Sequence, residues 1–442
     1  MSRFFAFVVV CCVWLAGCAS HSDHTRAIRT ALDAGDAERA LAAVNDRLDV
    51  DSEHELPDDT GGENALFLLD RSMILQQLEK YELSSRDLQI ADKSIDLLDL
   101  SRSATDDIGR YLFSDETGPY KAPAYEKLLI NTLNMVNYLV RGDLNGARIE
   151  ARRLAVIQRY LATHEAEGRT LLGPGSYLAG FTFEKSGRDD EALRYYDEAL
   201  AFAEYPSLAG PVQRLLSTGG YRSPRLAKAA AAAPAEEANA ESAEILVIVS
   251  YGRVPHKVAM RVPIGLALTY ASDSLSPGDR QRAAMLAGQG LVTWVNYPEL
   301  APSAILFGRP GVSLDGASMR LETALAVDDE ARKAWEDARG AVVASAITRM
   351  LTRVVAGEGA RRAAKDSVVG ALLSLGVQAT LTATDVPDTR SWATLPARMA
   401  IGRFRVPPGS HTVDVSARGQ RKRARVTLEP GGFAVVAHTV LR

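Results

Sequence analysis

The sequence predicts an α+β protein. An N-terminal α-solenoid of helix hairpins, residues 18–226, precedes a mixed α/β region, 244–442, that ends in an antiparallel β meander. Three features predict this. Four segments of the first half repeat the order helix, tight turn, second helix. An Ala-rich stretch, 227–243, then interrupts the chain with the composition of a linker or a weak exposed helix. Beyond it, apolar residues abandon helical spacing for continuous runs and alternation, the patterns of strands. The 442 residues also exceed the roughly 250–300 that one hydrophobic core organises, so at least two domains are expected.

The helical turns come first along the chain. Gly35, Gly142 and Gly187 each mark a turn, and the second helix then carries Ala40, Ala147 and Ala192 at one constant spacing. Glycine permits the turn, and a small alanine lets the two helices approach closely. A fourth segment has Glu79 and Ser84 at the same two positions. Between the turns lie an acidic run from Asp49 to Glu63, interrupted by Pro57 and Gly61-Gly62, and an irregular stretch from Ser114 to Pro123. The first reads as a solvated loop. The amphipathic helical stretch Ala124–Tyr160 follows, with the third turn inside it.

After the Ala-rich stretch, Glu244–Tyr251 is a continuous apolar run closed by Gly252, and Lys257–Val262 alternates. Both read as strands. Val312–Leu314 is a further strand, with Asp315-Gly316 offering a hairpin turn. Asp328 reads as the N-cap of a long helix running to about Val355, with a second helix from Ala360 to about Leu375. Strands return over 397–442: Ala397–Val406, a Pro407-Pro408-Gly409 turn, His411–Val415, a basic turn Arg418–Arg423, then Arg425–Leu428 and Phe433–Leu441. The Pro-Pro-Gly-Ser-His-Thr-Val turn and strand resemble the small β-sandwich modules of envelope proteins.

The hairpins of the first half resemble tetratricopeptide (TPR) repeats. The last unit carries the resemblance best, with Gly180, Phe183, Gly187, Ala192, Tyr196 and Ala199, and the third adds Tyr138, Gly142 and Ala147. The turns lie further apart than a 34-residue repeat places them, which calls for inserted helices or loops. At the start of the chain, Leu15-Ala16-Gly17-Cys18 ends a short apolar segment behind Arg3 and resembles the lipobox of bacterial lipoprotein signal peptides. This resemblance implies that residues 1–17 are removed and that Cys18 is lipidated. Three fatty chains would anchor the protein to a membrane without spanning it. Ala19 follows the cysteine where inner-membrane lipoproteins of enteric bacteria carry Asp, so the outer membrane is expected. Cys11 and Cys12 fall within the signal, and Cys18 alone remains, which excludes a disulfide framework or a cysteine metal cluster in the mature chain.

Composition and motifs argue against most chemistry. A net charge of −4 with 24% charged residues offers no polyanion-binding signature, so no nucleic-acid partner is expected. There is no G-x-S-x-G, no serine three residues ahead of a lysine, and no H-E-x-x-H among the seven histidines. His21 and His24 fall in what reads as a tether beside the anchor. Gly288-Gln289-Gly290 and Gly308-Arg309-Pro310-Gly311 lack the lysine of a phosphate loop. The apolar stretch Val368–Ala383 is too short to span a membrane and reads as a core helix or buried loop. No catalytic residue, metal, cofactor or small-molecule substrate is expected.

Two groups remain as binding candidates. Asn131, Asn134 and Asn137 form a polar stripe on a predicted helix; asparagine is a poor helix former, so the stripe suggests something to hydrogen-bond. That is either an extended peptide in the concave groove of a repeat scaffold or another part of this chain. Arg418, Arg421, Lys422, Arg423 and Arg425 form the strongest local charge run, either a contact for anionic headgroups or a glycan, or a solvated hairpin tip.

Most of residues 64–442 resembles a poorly characterised family of bacterial lipoproteins with tetratricopeptide-like first halves. The segments concerned are Tyr125-Glu126-Lys127-Leu128-Leu129, Asn137-Tyr138-Leu139 with Gly142–Arg148, and Asp388-Thr389-Arg390-Ser391-Trp392 with Thr394-Leu395-Pro396-Ala397. The expectation is a non-catalytic outer-membrane lipoprotein facing the periplasm, a scaffold that binds an envelope protein partner in cell-wall synthesis or envelope assembly. The alternatives are an envelope enzyme acting on glycan or peptide, using carboxylates such as Asp315, Asp385 and Asp388, or a surface-exposed adhesive lipoprotein.

Overall fold

The computed structural model of the chain describes residues 19–99, 120, 122, 124–163, 171–233, 242–271, 273–288, 294–302, 308–363 and 386–442. Helix hairpins build the first half. They pair α1 (Arg26–Asp33) with α2 (Ala37–Leu48), α3 (Gly62–Gln77) with α4 (Tyr81–Asp99), α5 (Ala124–Val140) with α6 (Leu144–Thr163), and α7 (Leu172–Lys185) with α8 (Asp189–Phe202). Each turns where the sequence marks it: Gly35, Gly142 and Gly187 have φ of 80°, 71° and 69°, and Glu79 adopts the same left-handed backbone at 62°. A side chain there costs about 1–2 kcal/mol, so the surrounding packing must hold Glu79 in place. Ala40, Ser84, Ala147 and Ala192 are all fully buried between their helices. In the last hairpin a Cβ on Gly180 would lie 2.4 Å from the Tyr196 ring, so only glycine admits that approach.

Two shorter helices, α9 (Ala209–Thr218) and α10 (Pro224–Ala231), close the helical stack. Ser223 caps α10 by accepting from the Leu226 amide at 3.2 Å, with Pro224 in the first turn, and Leu226 is fully buried. The Ala-rich stretch therefore opens as a capped, docked helix; residues 234–241 lie outside the described residues.

Two four-stranded sheets form among the described residues of the second half. The inner sheet has the order β10 (Phe433–Val440), β1 (Ala243–Tyr251), β7 (Arg398–Val406), β6 (Glu322–Ala326). The outer sheet runs β5 (Ala317–Met319), β4 (Gly311–Leu314), β8 (Gly409–Ala417), β9 (Gln420–Leu428). Alternation along β1 decides the layering. Ile245, Val247 and Val249 pack with Val312, Val413 and Val415 of the outer sheet, whereas Leu246 and Ile248 join the helical core with Met399, Ile401, Val435 and Ala437. The inner sheet is thus covered on both faces, which is why β1 reads as an unbroken apolar run. Helices and inner sheet share one apolar core, so the boundary in the sequence is not a boundary in the packing.

The strands after 397 alternate direction but divide between the sheets. β8 and β9 form an antiparallel hairpin in the outer sheet; β7 lies antiparallel to β1, and β10 parallel to it, in the inner one. The expected meander is corrected in this respect: β10 is buried over most of its length and finds cover only between the helices and the outer sheet. The basic turn is also shorter than expected. Only Arg418 and Gly419 turn, at φ of 47° and 82°, and Arg421–Arg425 already belong to β9.

A third, smaller core lies to one side. There β2 (Lys257–Pro263), α11 (Ile264–Ala271), α12 (Pro277–Gly288) and β3 (Trp294–Leu300) pack on α13 (Val327–Ala363) through Val262, Val295, Tyr297, Trp335, Val343 and Ile347. Helix α13 begins one residue before the expected cap, so Asp328 sits in its first turn, buried and ion-paired with Arg398 at 2.8 Å. The expected second helix from Ala360 coincides at its start with the end of α13 and then leaves the described residues, as does Val368–Ala383. Among the described residues no helix is long and apolar enough to cross a membrane.

Candidate functional site

The asparagine stripe of α5 faces inward. Asn131, Asn134 and Asn137 are at most 1% exposed. Asn131 donates to Glu150 of α6 at 3.2 Å, and Asn134 accepts from Ser85 of α4 at 2.7 Å. Asn137 donates to Ser84 and accepts from Gln76 of α3, both at 2.8 Å, and Gln76 in turn accepts from Thr439 of β10 at 2.9 Å. An open peptide groove lined by these residues is not what the fold provides. They form a polar ladder joining three other hairpin helices to the inner sheet, because α5 is central and every residue from Glu126 to Asn137 is buried. The helix carries the cost of asparagine in exchange for fixed register between its neighbours.

A second polar region includes Asp388 and the segment that follows it, for which the sequence predicts no secondary structure and no partner. Residues 387–397 have no regular secondary structure before β7, yet every one of them is buried. This strap crosses the junction between helices and sheets. Buried backbone needs partners, and the strap finds them on both sides. The Thr394 amide and hydroxyl both donate to Asp70 of α3 at 2.9 Å, and the Trp392 amide donates to Glu126 of α5 at 3.3 Å. Tyr120 donates to the other Glu126 oxygen at 2.5 Å, and the Val254 amide donates to the Leu395 carbonyl at 2.9 Å. Within the strap, Arg390 grips Asp388 through Nε at 2.9 Å and Nη2 at 2.7 Å, with its guanidinium over the Tyr120 ring. Two segments distant in sequence, one around Glu126 and one around Asp388, therefore meet here.

Ionisation in this region is perturbed by burial. Asp70 is pushed up to about 6 because it is wholly desolvated, against the pull of His21 and of the two Thr394 hydrogen bonds. Burial also raises Glu126 and lowers Lys257, with Asp388 and Glu126 pulling Lys257 back. Sequence alone offered one signal for these residues: a carboxylate, Glu126, beside the apolar positions Leu128 and Leu129 of a central helix.

His21 and His24 are not part of a free tether. Ser20 and Asp23 cap a short helical turn, and His21, 1% exposed, stacks on Phe67 and meets Glu63 at 2.7 Å. His24 meets the same Glu63 oxygen at 2.9 Å. Burial works against the Glu63 charge, yet these two histidines hold its carboxyl down at about 2. The Ser22 amide donates to Thr389 of the strap at 3.0 Å. Cys18 itself lies outside the described residues. Among the described residues no group of three or more metal-ligating side chains is placed to hold an ion.

The basic run separates by strand alternation. Arg421, Arg423 and Arg425 project from one face of β9 into solvent. Lys422 points the other way, to Glu79 and the Ala437 carbonyl, both at 2.9 Å, and Arg418 occupies the turn. Across the ladder Arg421, Arg423 and Arg425 lie opposite Ser416, Asp414 and Thr412 of β8. Arg423 is held by Asp414 at 2.6 Å; among the described residues Arg421 and Arg425 form no ion pair. Of the carboxylates expected for an enzyme, the two among the described residues are each held by a different partner. Asp315 sits at the β4–β5 turn bonded to His411 at 2.7 Å, Asp388 is bound within the strap, and Asp385 lies outside the described residues. No protein-family model matches the chain, and no curated protein matches it either.

Proposed function

We propose that the protein is a non-catalytic lipoprotein of the outer membrane, anchored through Cys18 and facing the periplasm, that serves as a rigid scaffold for another envelope protein. Cell-wall synthesis or envelope assembly is the setting this reading favours, by the tetratricopeptide-like character of the hairpins. One observation carries it: the polar residues of α5 and the strap are turned inward to lock helices and sheets into one body. Such a body presents its surfaces in fixed relative positions, which lowers the entropic cost of binding. Ser20, His21 and Thr25 are docked on that body, so a lipid on Cys18 would hold it within about 7 Å of chain, at about 3.5 Å per residue.

Cys18→Ser is expected to release the protein from the membrane fraction with its fold intact; membrane retention with unchanged processing would overturn the anchored reading. Crosslinking in the native envelope should then capture one specific protein partner, and its absence would count against the scaffold.

A further inference from the structure

The outer sheet has a solvent face that carries a row of arginines beside serines, a threonine and an aspartate. The ladder places Arg421, Arg423 and Arg425 in single file along β9, Ser416, Asp414 and Thr412 beside them on β8, and Ser313 of β4 and Ser318 of β5 beyond. The opposite face of the same strands carries Val312, Val413 and Val415 into the sandwich core. At about 3.4 Å per residue, alternate arginines stand about 7 Å apart and the row spans about 14 Å. No aromatic ring stands among these residues, so the face lacks the stacking platform that single-stranded nucleic acids use.

From this we infer that the outer sheet binds a linear anionic polysaccharide laid along β9, its carboxylates on Arg421 and Arg425 and its hydroxyls toward the Ser and Thr band. Asp414 pairs with Arg423 at 2.6 Å, between two cations that have no ion pair among the described residues. Guanidinium groups take carboxylates through paired hydrogen bonds, and a regular row of them suits a ligand whose charges also repeat. Two features disfavour an anionic membrane surface as the occupant. The row is one cation wide, and Asp414 cancels its middle member, leaving only two cations without an ion pair among the described residues, too few to hold an anionic leaflet. Charge on an edge strand also hinders strand-to-strand association, but that role needs neither a single sign nor a hydroxyl band.

Polygalacturonate is the probe, titrated against the full-length protein in detergent, with Arg421→Glu/Arg425→Glu as the variant. Circular dichroism should confirm that the variant keeps its fold, since both side chains are exposed. Wild type is expected to bind the polymer and galacturonate oligomers long enough to reach both arginines, to bind the monosaccharide and neutral dextran at least tenfold more weakly, and to lose affinity as salt rises. The variant should lose at least tenfold in affinity for the polymer. Equal binding by the variant, no binding by wild type, or preference for phosphatidylglycerol vesicles or polyglutamate would each overturn the assignment. The face does not depend on Cys18 or on a protein partner, so failure here leaves the scaffold reading standing, and the reverse.

Discussion

The inner and outer sheets of the sandwich both carry arginines on their strands and use them in opposite ways. Arg403 of β7 is 2% exposed and is held by Glu184 of α7 at 2.5 Å, Glu244 of β1 at 2.6 Å and Tyr196 at 3.0 Å, against the Phe181 ring. Lys185 and Arg214 complete that network from the helical side. On the open face of β9, Arg423 pairs with Asp414, and Arg421 and Arg425 form no ion pair among the described residues. A charge without water must be matched by the chain itself, so the buried arginine becomes a fastener between layers. An exposed one stays solvated at almost no cost and remains open to a ligand.

The largest expected effect breaks the buried network. Arg403→Ala removes the one fully buried cation between Glu184 and Glu244, leaving them only Lys185 and Arg214 from the helical side, and should lower the unfolding free energy by about 3 kcal/mol in urea titrations. A loss below about 1 kcal/mol would mean that the network is no stronger than a surface pair and would remove the contrast.

The strap gives an intermediate test through pH. Burial pushes the Asp70 carboxyl up to about 6 in the fold, above its ordinary 3.8, so the stability gained by holding it protonated is complete below about pH 4 and is lost as pH rises through 6. By linkage that amounts to about 3 kcal/mol. Asp70→Asn should flatten this part of the stability curve, read from chemical unfolding between pH 4 and 7. An unchanged slope would show that another group sets it.

The smallest effect is expected on the outer sheet. Arg421→Ala/Arg425→Ala should change stability by no more than about 0.5 kcal/mol per site, because both side chains are exposed and form no ion pair among the described residues. A larger loss in thermal melts would place these arginines among the fasteners.

Much of the fold was legible because its signals are local. The turn positions Gly35, Glu79, Gly142 and Gly187, and the small residues that follow each, report backbone conformation and helix proximity within a few residues. The apolar run of β1 likewise reports a strand covered on two faces. The site was legible only in part. The asparagines were conspicuous as poor helix formers, but their partners Ser84, Ser85, Glu150 and Gln76 come from three other helices, and only packing decides whether such a stripe meets the chain or a ligand. The strap was opaque for a different reason. Asp388–Leu395 has no periodicity, and its burial depends on Asp70 and Glu126, more than 260 residues away.

What the sequence determined by itself is the positions of the helical turns, the apolar run that becomes β1 and the α+β character of the chain, since backbone preference and hydrophobic period act over short distances. The tertiary structure alone decided that β10 runs parallel to β1, that the asparagines and the strap face inward, and that three of five basic residues share one open face. Those outcomes depend on which surfaces meet, and a polar side chain becomes a fastener or a contact according to whether its neighbours exclude water.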